Sequence, residues 1–237
     1  MSEQKCLLFD WNVRGLNSKA RRKVVRDLVQ DYCCTIVTLQ ETKMELVQAA
    51  DISESLGARF SSQFIFLPTE GTRGGALIAV DEDYYTITHS EHRQHTITVC
   101  VASSQCATSW WITVVYGPQG DHEKIEFLQE LRDVKAVVGD QWLVIGDFNL
   151  ILQAEDKSND NLNRRLMGEF RSTINLLELK ELSLRGSLLG RIIRLKLESI
   201  VHFAQLSGIC CCQPLCCMHF PQRYLITARC YWWELQQ

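Results

Sequence analysis

The chain has 237 residues, 46% of them hydrophobic and 22% charged, with a formal net charge of −3. That length suits one large domain or two small ones with an ordinary apolar core. No apolar stretch is long enough to span a membrane, and Met1–Lys5 leads into an apolar run too short for a secretory signal. These features predict an intracellular protein, nuclear or cytoplasmic and not secreted, with reduced cysteines.

Charge and cysteine are unevenly spread. Residues 1–186 carry 20 Lys/Arg and 26 Asp/Glu, whereas residues 187–237 carry 5 and 2. An acidic body binds nucleic acid poorly unless its working face is locally basic or metal-loaded. Its only basic clusters are Arg21-Arg22-Lys23 and Arg164-Arg165, which read as solvated faces. Six of the 11 cysteines fall within residues 209–230. Three of them are consecutive, a poor arrangement for reaching around a tetrahedral zinc.

Taken in chain order, residues 7–9 form a short apolar strand that runs into Trp11-Asn12. Residues 19–32 space Val24, Val25, Leu28 and Val29 as one helical face, with Ser18 as the N-cap. A second strand, residues 35–39, runs into Gln40-Glu41-Thr42. Residues 44–56 predict another helix, closed by Gly57.

A β-rich centre follows, at residues 64–67, 76–80, 85–88, 96–101 and 110–116. Thr96-Ile97-Thr98-Val99 alternates as an antiparallel strand with one wet face would. Residues 123–138 predict a helix ended by Gly139. The strand Trp142-Leu143-Val144-Ile145 stops in Gly146-Asp147-Phe148-Asn149, and residues 162–179 predict a last helix. Two antiparallel sheets with outer helices is the natural packing for this order.

Three strands thus end in Asn12, Glu41 and Asp147/Asn149, a set suited to one hard cation and one phosphate. Phosphodiester cleavage needs neutralised phosphate charge and an activated in-line water. Mg²⁺ favours a few carboxylates and keeps waters for substrate. Glu41 is the candidate metal ligand, with Asn12 beside it. Asp147 is placed to orient water, Asn12 and Asn149 to fix that carboxylate and the phosphate oxygens, Tyr116 to offer a hydroxyl, and Arg73 to contact backbone phosphate. Taken singly, each is a common turn or core residue.

Their joint order is specific. Trp11-Asn12-Val13-Arg14-Gly15-Leu16-Asn17, Leu39-Gln40-Glu41-Thr42-Lys43, Arg73-Gly74-Gly75, Thr113-Val114-Val115-Tyr116-Gly117-Pro118 and Gly146-Asp147-Phe148-Asn149 resemble the endonuclease/exonuclease/phosphatase (DNase-I-like) family. The resemblance is closest to the endonuclease domain of plant LINE-type retrotransposons, and residues 163–167 and 179–182 also look like that group. It covers about residues 6–186. It implies a four-layer α/β sandwich and Mg²⁺- or Mn²⁺-dependent nicking of DNA. It implies metal binding at Glu41 with Asn12, and scissile-phosphate roles for Tyr116, Asp147 and Asn149. No reverse-transcriptase region accompanies the domain in this chain.

The pattern breaks after Gly186. The family's closing Thr-Trp, Asp-Arg and Ser-Asp-His segments are missing, and with them the catalytic histidine. His202 and His219 follow no aspartate. A reading frame displaced by one nucleotide restores all three segments in family order, for suitable wobble bases. Residues 187–192 become Lys-Phe-Thr-Trp-Ser-Asn, residues 198–203 become Gly-Val-Asp-Arg-Ala-Phe, and residues 224–229 yield Ser-Asp-His-Cys-Pro. Trp232-Trp233 forces Val and Trp233-Glu234 forces Gly in that frame whatever codons are used. The expectation is a sandwich over residues 6–186 lacking its closing strands, followed by an aberrant, poorly ordered tail at 187–237. Nicking activity should then be severely impaired or lost. The alternative is an inert nucleic-acid- or protein-binding remnant with a cysteine-bound metal.

Overall fold

A computed structural model describes residues 6–70, 74–105, 107–154, 162–181, 191–194 and 224–227. The first sheet is built from β1 (Leu7–Asn12), β2 (Ile36–Gln40), β3 (Phe64–Leu67), β4 (Ala76–Val80) and, from the tail, β10 (Arg191–Arg194), in the order β10-β1-β2-β4-β3. The second is built from β5 (Tyr85–His92), β6 (Thr96–Ser103), β7 (Ser109–Tyr116), β8 (Trp142–Asp147), β9 (Lys180–Glu181) and β11 (Tyr224–Thr227), in the order β5-β6-β7-β8-β11-β9. Both sheets are mixed. β1–β2, β7–β8, β8–β11 and β11–β9 are parallel pairs, and the others are antiparallel.

Strand alternation explains the layering. Leu8, Ile36 and Ile78 of the first sheet meet Ile97, Ile112 and Ile145 of the second in one inter-sheet core. The opposite face of the first sheet, with Phe9, Val37 and Leu39, packs on Val25 and Val29 of α1 (Lys19–Asp31) and Ile52 of α2 (Ala49–Ser55). The outer face of the second sheet, with Val115 and Val144, packs on Phe127 and Leu131 of α3 (Asp121–Val134) and Phe170 and Ile174 of α4 (Arg164–Leu176). Each such side chain contributes about 1.5–3 kcal/mol on burial. The four-layer α/β sandwich expected from the sequence is the observed fold.

Several local expectations change. Ser18 caps α1 as expected, accepting from the Arg21 amide at 3.2 Å. α2 starts five residues later than the apolar spacing suggests. Met44 is held by the loop instead, its carbonyl accepting from the Thr69 amide, and Asp51 accepts from the Gln48 amide at the true helix start. Thr96 and Thr98 do not line a wet face. Both are buried on the side that α3 and α4 cover, where Thr98 bonds Thr113 and Thr113 accepts from the Trp142 indole at 2.8 Å.

The Arg21-Arg22 pair is also more than a solvated face. The Arg21 guanidinium donates to the Val13 carbonyl, and Arg22 donates to the Leu16 carbonyl at 2.9 Å and to Asp51 and Glu54. The two arginines therefore brace the loop that follows Asn12.

The tail supplies two short strands where the sequence predicts none. β10 pairs antiparallel with β1, Phe9 opposite Ile192, and β11 runs parallel to β8, Thr227 opposite Gly146. Edge strands with open amides and carbonyls accept such pairing from any segment of adequate β propensity. The cysteines of residues 210–230, and His202 and His219, lie outside the described residues. Among the described residues, no helix is long and apolar enough to cross a membrane.

Candidate active site

The inter-sheet layer changes character along the strands. It is aliphatic at Leu8, Ile36, Ile112 and Leu143, and polar at the other end, where the same strand faces present Asp10 and Asn12 on β1, Thr38 and Gln40 on β2, Tyr116 on β7 and Asp147 on β8. β1 and β2 are parallel, as are β7 and β8, so their C-terminal ends come out together. Asn12 lies opposite Gln40, and Tyr116 opposite Asp147.

The Asn12 amide nitrogen joins the two sheets. It donates to Glu41 Oε1 at 3.0 Å and to Asp147 Oδ2 at 3.2 Å. Its own carbonyl oxygen accepts from the Arg14 amide at 3.3 Å, which fixes the amide's orientation. The ladder continues past the strand ends, with Val13, Gly15 and Leu16 amides bonded to the Gln40, Glu41 and Thr42 carbonyls. Asn149 completes the group. Its backbone amide bonds Asp147 Oδ1 at 3.0 Å, and its side chain donates to the Gly117 carbonyl at 2.6 Å.

Backbone strain concentrates here. Among the described residues, six non-glycine residues have positive φ. Cys33 and Glu178 follow the ends of α1 and α4, an ordinary helix-stop geometry. The other four are Arg14 (51°), Glu41 (51°), Lys43 (54°) and Asn149 (49°), all around the Asn12 bridge. Such positions cost on the order of 1–3 kcal/mol and persist where surrounding contacts enforce them. The turn matters for Glu41. In a continued strand it would face the helices, opposite to Gln40, whereas the left-handed φ brings its carboxylate back over the inter-sheet end.

Gly74 packs directly against the site. A β-carbon there would lie 3.0 Å from Glu41 Cγ and 3.1 Å from a Tyr116 ring carbon. The Lys43 amide bonds the Gly74 carbonyl at 2.7 Å, so this glycine seats β2's exit loop against Tyr116. Burial, then the charge and hydrogen bond of Glu41, then the charge of Asp147, push the Tyr116 hydroxyl well above the usual phenol range. It therefore stays protonated and acts as a donor. Arg73, just before this glycine, lies outside the described residues.

The structure thus brings together Asn12, Glu41, Tyr116, Asp147 and Asn149. Its donors are oxygens, two of them carboxylates on one shared amide, and their negative potential raises a neighbouring phenol. Such a set fits a hard divalent cation held by few protein ligands. Among the described residues, no group of three or more His, Cys, Asp or Glu forms a closed metal cage. Sequence reasoning overlooked Asp10 and Gln40, buried directly beneath, and the loop-bracing arginines. Period-two alternation from Asn12 was the available signal for Asp10.

A model of the Endonuclease/Exonuclease/phosphatase family matches residues 11–210. The chain belongs to that family. The match takes in Asn12, Glu41, Tyr116, Asp147 and Asn149 and extends past Gly186. A search of curated proteins found no match. Among solved structures, the AP endonuclease LMAP from Leishmania major aligns with a TM-score of 0.55 at 13% identity, over 73% of this chain and 66% of that one. TDP2 from D. rerio, solved with a single-strand DNA product, aligns at 0.47 and 19% identity over 63% and 62%. A Bacteroides thetaiotaomicron mannosyl-6-phosphatase aligns at 0.48 and 15% identity over 70% of each chain. The likeness to LMAP shows the family's sandwich fold. The chain covers just under two thirds of LMAP and TDP2.

Proposed function

We propose that this chain is a divalent-cation-dependent endonuclease domain that nicks DNA, that it derives from a plant LINE-type retrotransposon, and that its final portion is read out of frame. The observation that carries the enzymatic reading is the Asn12 amide held between Glu41 and Asp147 at the meeting of two sheets. Glu41 is the cation ligand, and Asn12 locks the carboxylate's position. Bound Mg²⁺ or Mn²⁺ would supply Lewis-acid neutralisation of the scissile phosphate.

Asp147 orients the attacking water by accepting its hydrogen bond. Asn149 spends one amide hydrogen on Gly117 and keeps the other for a phosphate oxygen. Tyr116, held protonated, turns its one hydrogen from Glu41 to the same phosphate when substrate binds, and Arg73 contacts the flanking backbone. The motif order supports DNA as the substrate and a retroelement origin. The out-of-frame reading is supported by recovery of three missing segments in one frame. The protein acts inside the cell in this reading.

General acid–base groups contribute on the order of 10² to 10⁴ in rate, so loss of the family histidine leaves only slow nicking. The test is relaxation of supercoiled plasmid with Mg²⁺. Weak, chelator-sensitive nicking that vanishes in Glu41→Ala and Asp147→Asn is expected. Cation-dependent nicking that survives both substitutions would sink the site assignment.

A further inference from the structure

β1 carries a third carboxylate that the proposed chemistry does not use. Asp10 is 3% exposed and sits two residues before Asn12, on the same strand face. Its Oδ1 accepts from Thr38 Oγ1 and from Gln40 Nε2, each at 2.7 Å. Asp10 and Thr38 are register partners, as are Asn12 and Gln40. The bonds therefore cross from β1 to β2 one step below the site. Gln40 is fully buried and immediately precedes Glu41, where the chain turns into its left-handed conformation.

Stability alone does not explain this cluster. Gln40 gives its N–H to Asp10, and its own Oε1 has no partner among the described residues. A buried acceptor left unmatched costs about 1–3 kcal/mol, which an aliphatic side chain of similar volume would avoid. The neighbouring inward positions Leu8 and Ile36 are aliphatic. What the polar pair adds is register. A carboxylate on one strand and an amide on the next lock the two strand ends whose following groups, Asn12 and Glu41, must meet at 3.0 Å.

We propose that Asp10 is a positioning residue: through Thr38 and Gln40 it holds the β1 and β2 ends so that Asn12 and Glu41 present a preformed cation site. This rests on the cation-dependent reading above. Residues that orient metal ligands typically change metal affinity 10- to 100-fold when removed.

The experiment measures Mn²⁺ binding to the full chain by calorimetry, alongside thermal melting, for wild type, Asp10→Ala, Asp10→Asn and Gln40→Leu, with Glu41→Ala as the ligand-deletion control. Asp10→Ala is expected to weaken Mn²⁺ 10- to 100-fold. Asp10→Asn, which keeps an acceptor oxygen for both bonds, should lose less than the minimum of about 10-fold expected of Asp10→Ala. Gln40→Leu separates placement from folding: affinity falls while the melting temperature holds or rises.

Wild-type affinity in both Asp10→Ala and Gln40→Leu overturns the positioning role and leaves the cation site standing. An Asp10→Asn loss as large as that of Asp10→Ala also overturns it, since charge and not hydrogen-bond geometry would then matter. If folded wild type binds no Mn²⁺, or Glu41→Ala binds it as well as wild type, the cation reading itself fails and the role falls with it.

Discussion

Single glycines and one amide decide how closely the site's groups approach. Two neighbouring positions fail differently when a methyl group is added. At Gly146, with φ of 133°, a β-carbon would lie 2.2 Å from the Val115 carbonyl, a fixed backbone atom inside the β7–β8 ladder. Gly146→Ala is therefore expected to destabilise the whole fold, by at least the 1–3 kcal/mol of its backbone strain, measured by urea unfolding. At Gly74 the encroached atoms are those of Glu41 and Tyr116, at 3.0 and 3.1 Å. Gly74→Ala should melt close to wild type yet weaken Mn²⁺ binding, because the few tenths of an ångström required come from the site itself. Equal loss of stability in the two variants would contradict this.

The elements are held in place by groups far from the chemistry. Phe148 stands between Asp147 and Asn149 and points the other way, into the outer core, with ring centroids 6.2 Å from Phe127 and 5.4 Å from Phe170. It anchors the turn that presents its two neighbours, and Phe148→Ala should cost about 3–5 kcal/mol by chemical denaturation. On the same helix as Phe127, Glu130 accepts from the His95 amide at 3.0 Å and from Thr96 Oγ1 at 2.7 Å, tying α3 to the start of β6. Burial raises this carboxyl above its ordinary 4.5, against the smaller pull of those hydrogen bonds and of Arg93.

The linkage for Glu130 runs with its protonated form. A carboxyl raised in the folded state binds its proton more tightly there than in the unfolded chain. Its contribution to stability is fully present below the ordinary value and is lost as pH rises through the raised one. Glu130→Gln removes that titration. Denaturation at pH 4 and pH 7 should show wild type losing stability relative to the variant on going up in pH. An unchanged difference would mean that the carboxyl is already solvated.

At the scale of the molecule, both sheets are extended by short segments from beyond Gly186. β10 and β11 extend the sheets through backbone pairing, which requires β propensity and no particular side chains. If the tail is out of frame, as proposed above, a frame correction after Gly186 would replace those segments with ones ending in Ser-Asp-His. The corrected chain is expected to nick plasmid on the order of 10² to 10⁴ faster, the range for a restored acid–base group. Sequencing the DNA around the Gly186 codon tests the premise, since no open displaced frame encoding Ser-Asp-His means no frameshift.

Much of this was readable from residue order. The strands were legible as short apolar runs, and the endings Trp-Asn, Gln-Glu-Thr, Tyr-Gly-Pro and Gly-Asp-Phe-Asn named five residues that do meet. The helix boundaries were less legible, because caps such as Asp51 on the Gln48 amide compete locally with apolar spacing. The roles of Arg21, Arg22 and Asp10 were not legible, since a charged side chain looks the same in sequence whether water or a loop carbonyl receives it.

What the sequence by itself determined is the set of groups and the sandwich that carries them, because side-chain period and strand-end chemistry are local properties. Only the tertiary structure decided that Glu41 turns inward against its strand's alternation and that one amide nitrogen is shared between carboxylates from two sheets. Those outcomes depend on a positive φ and on a contact across 135 residues of chain, and neither is encoded in any short stretch.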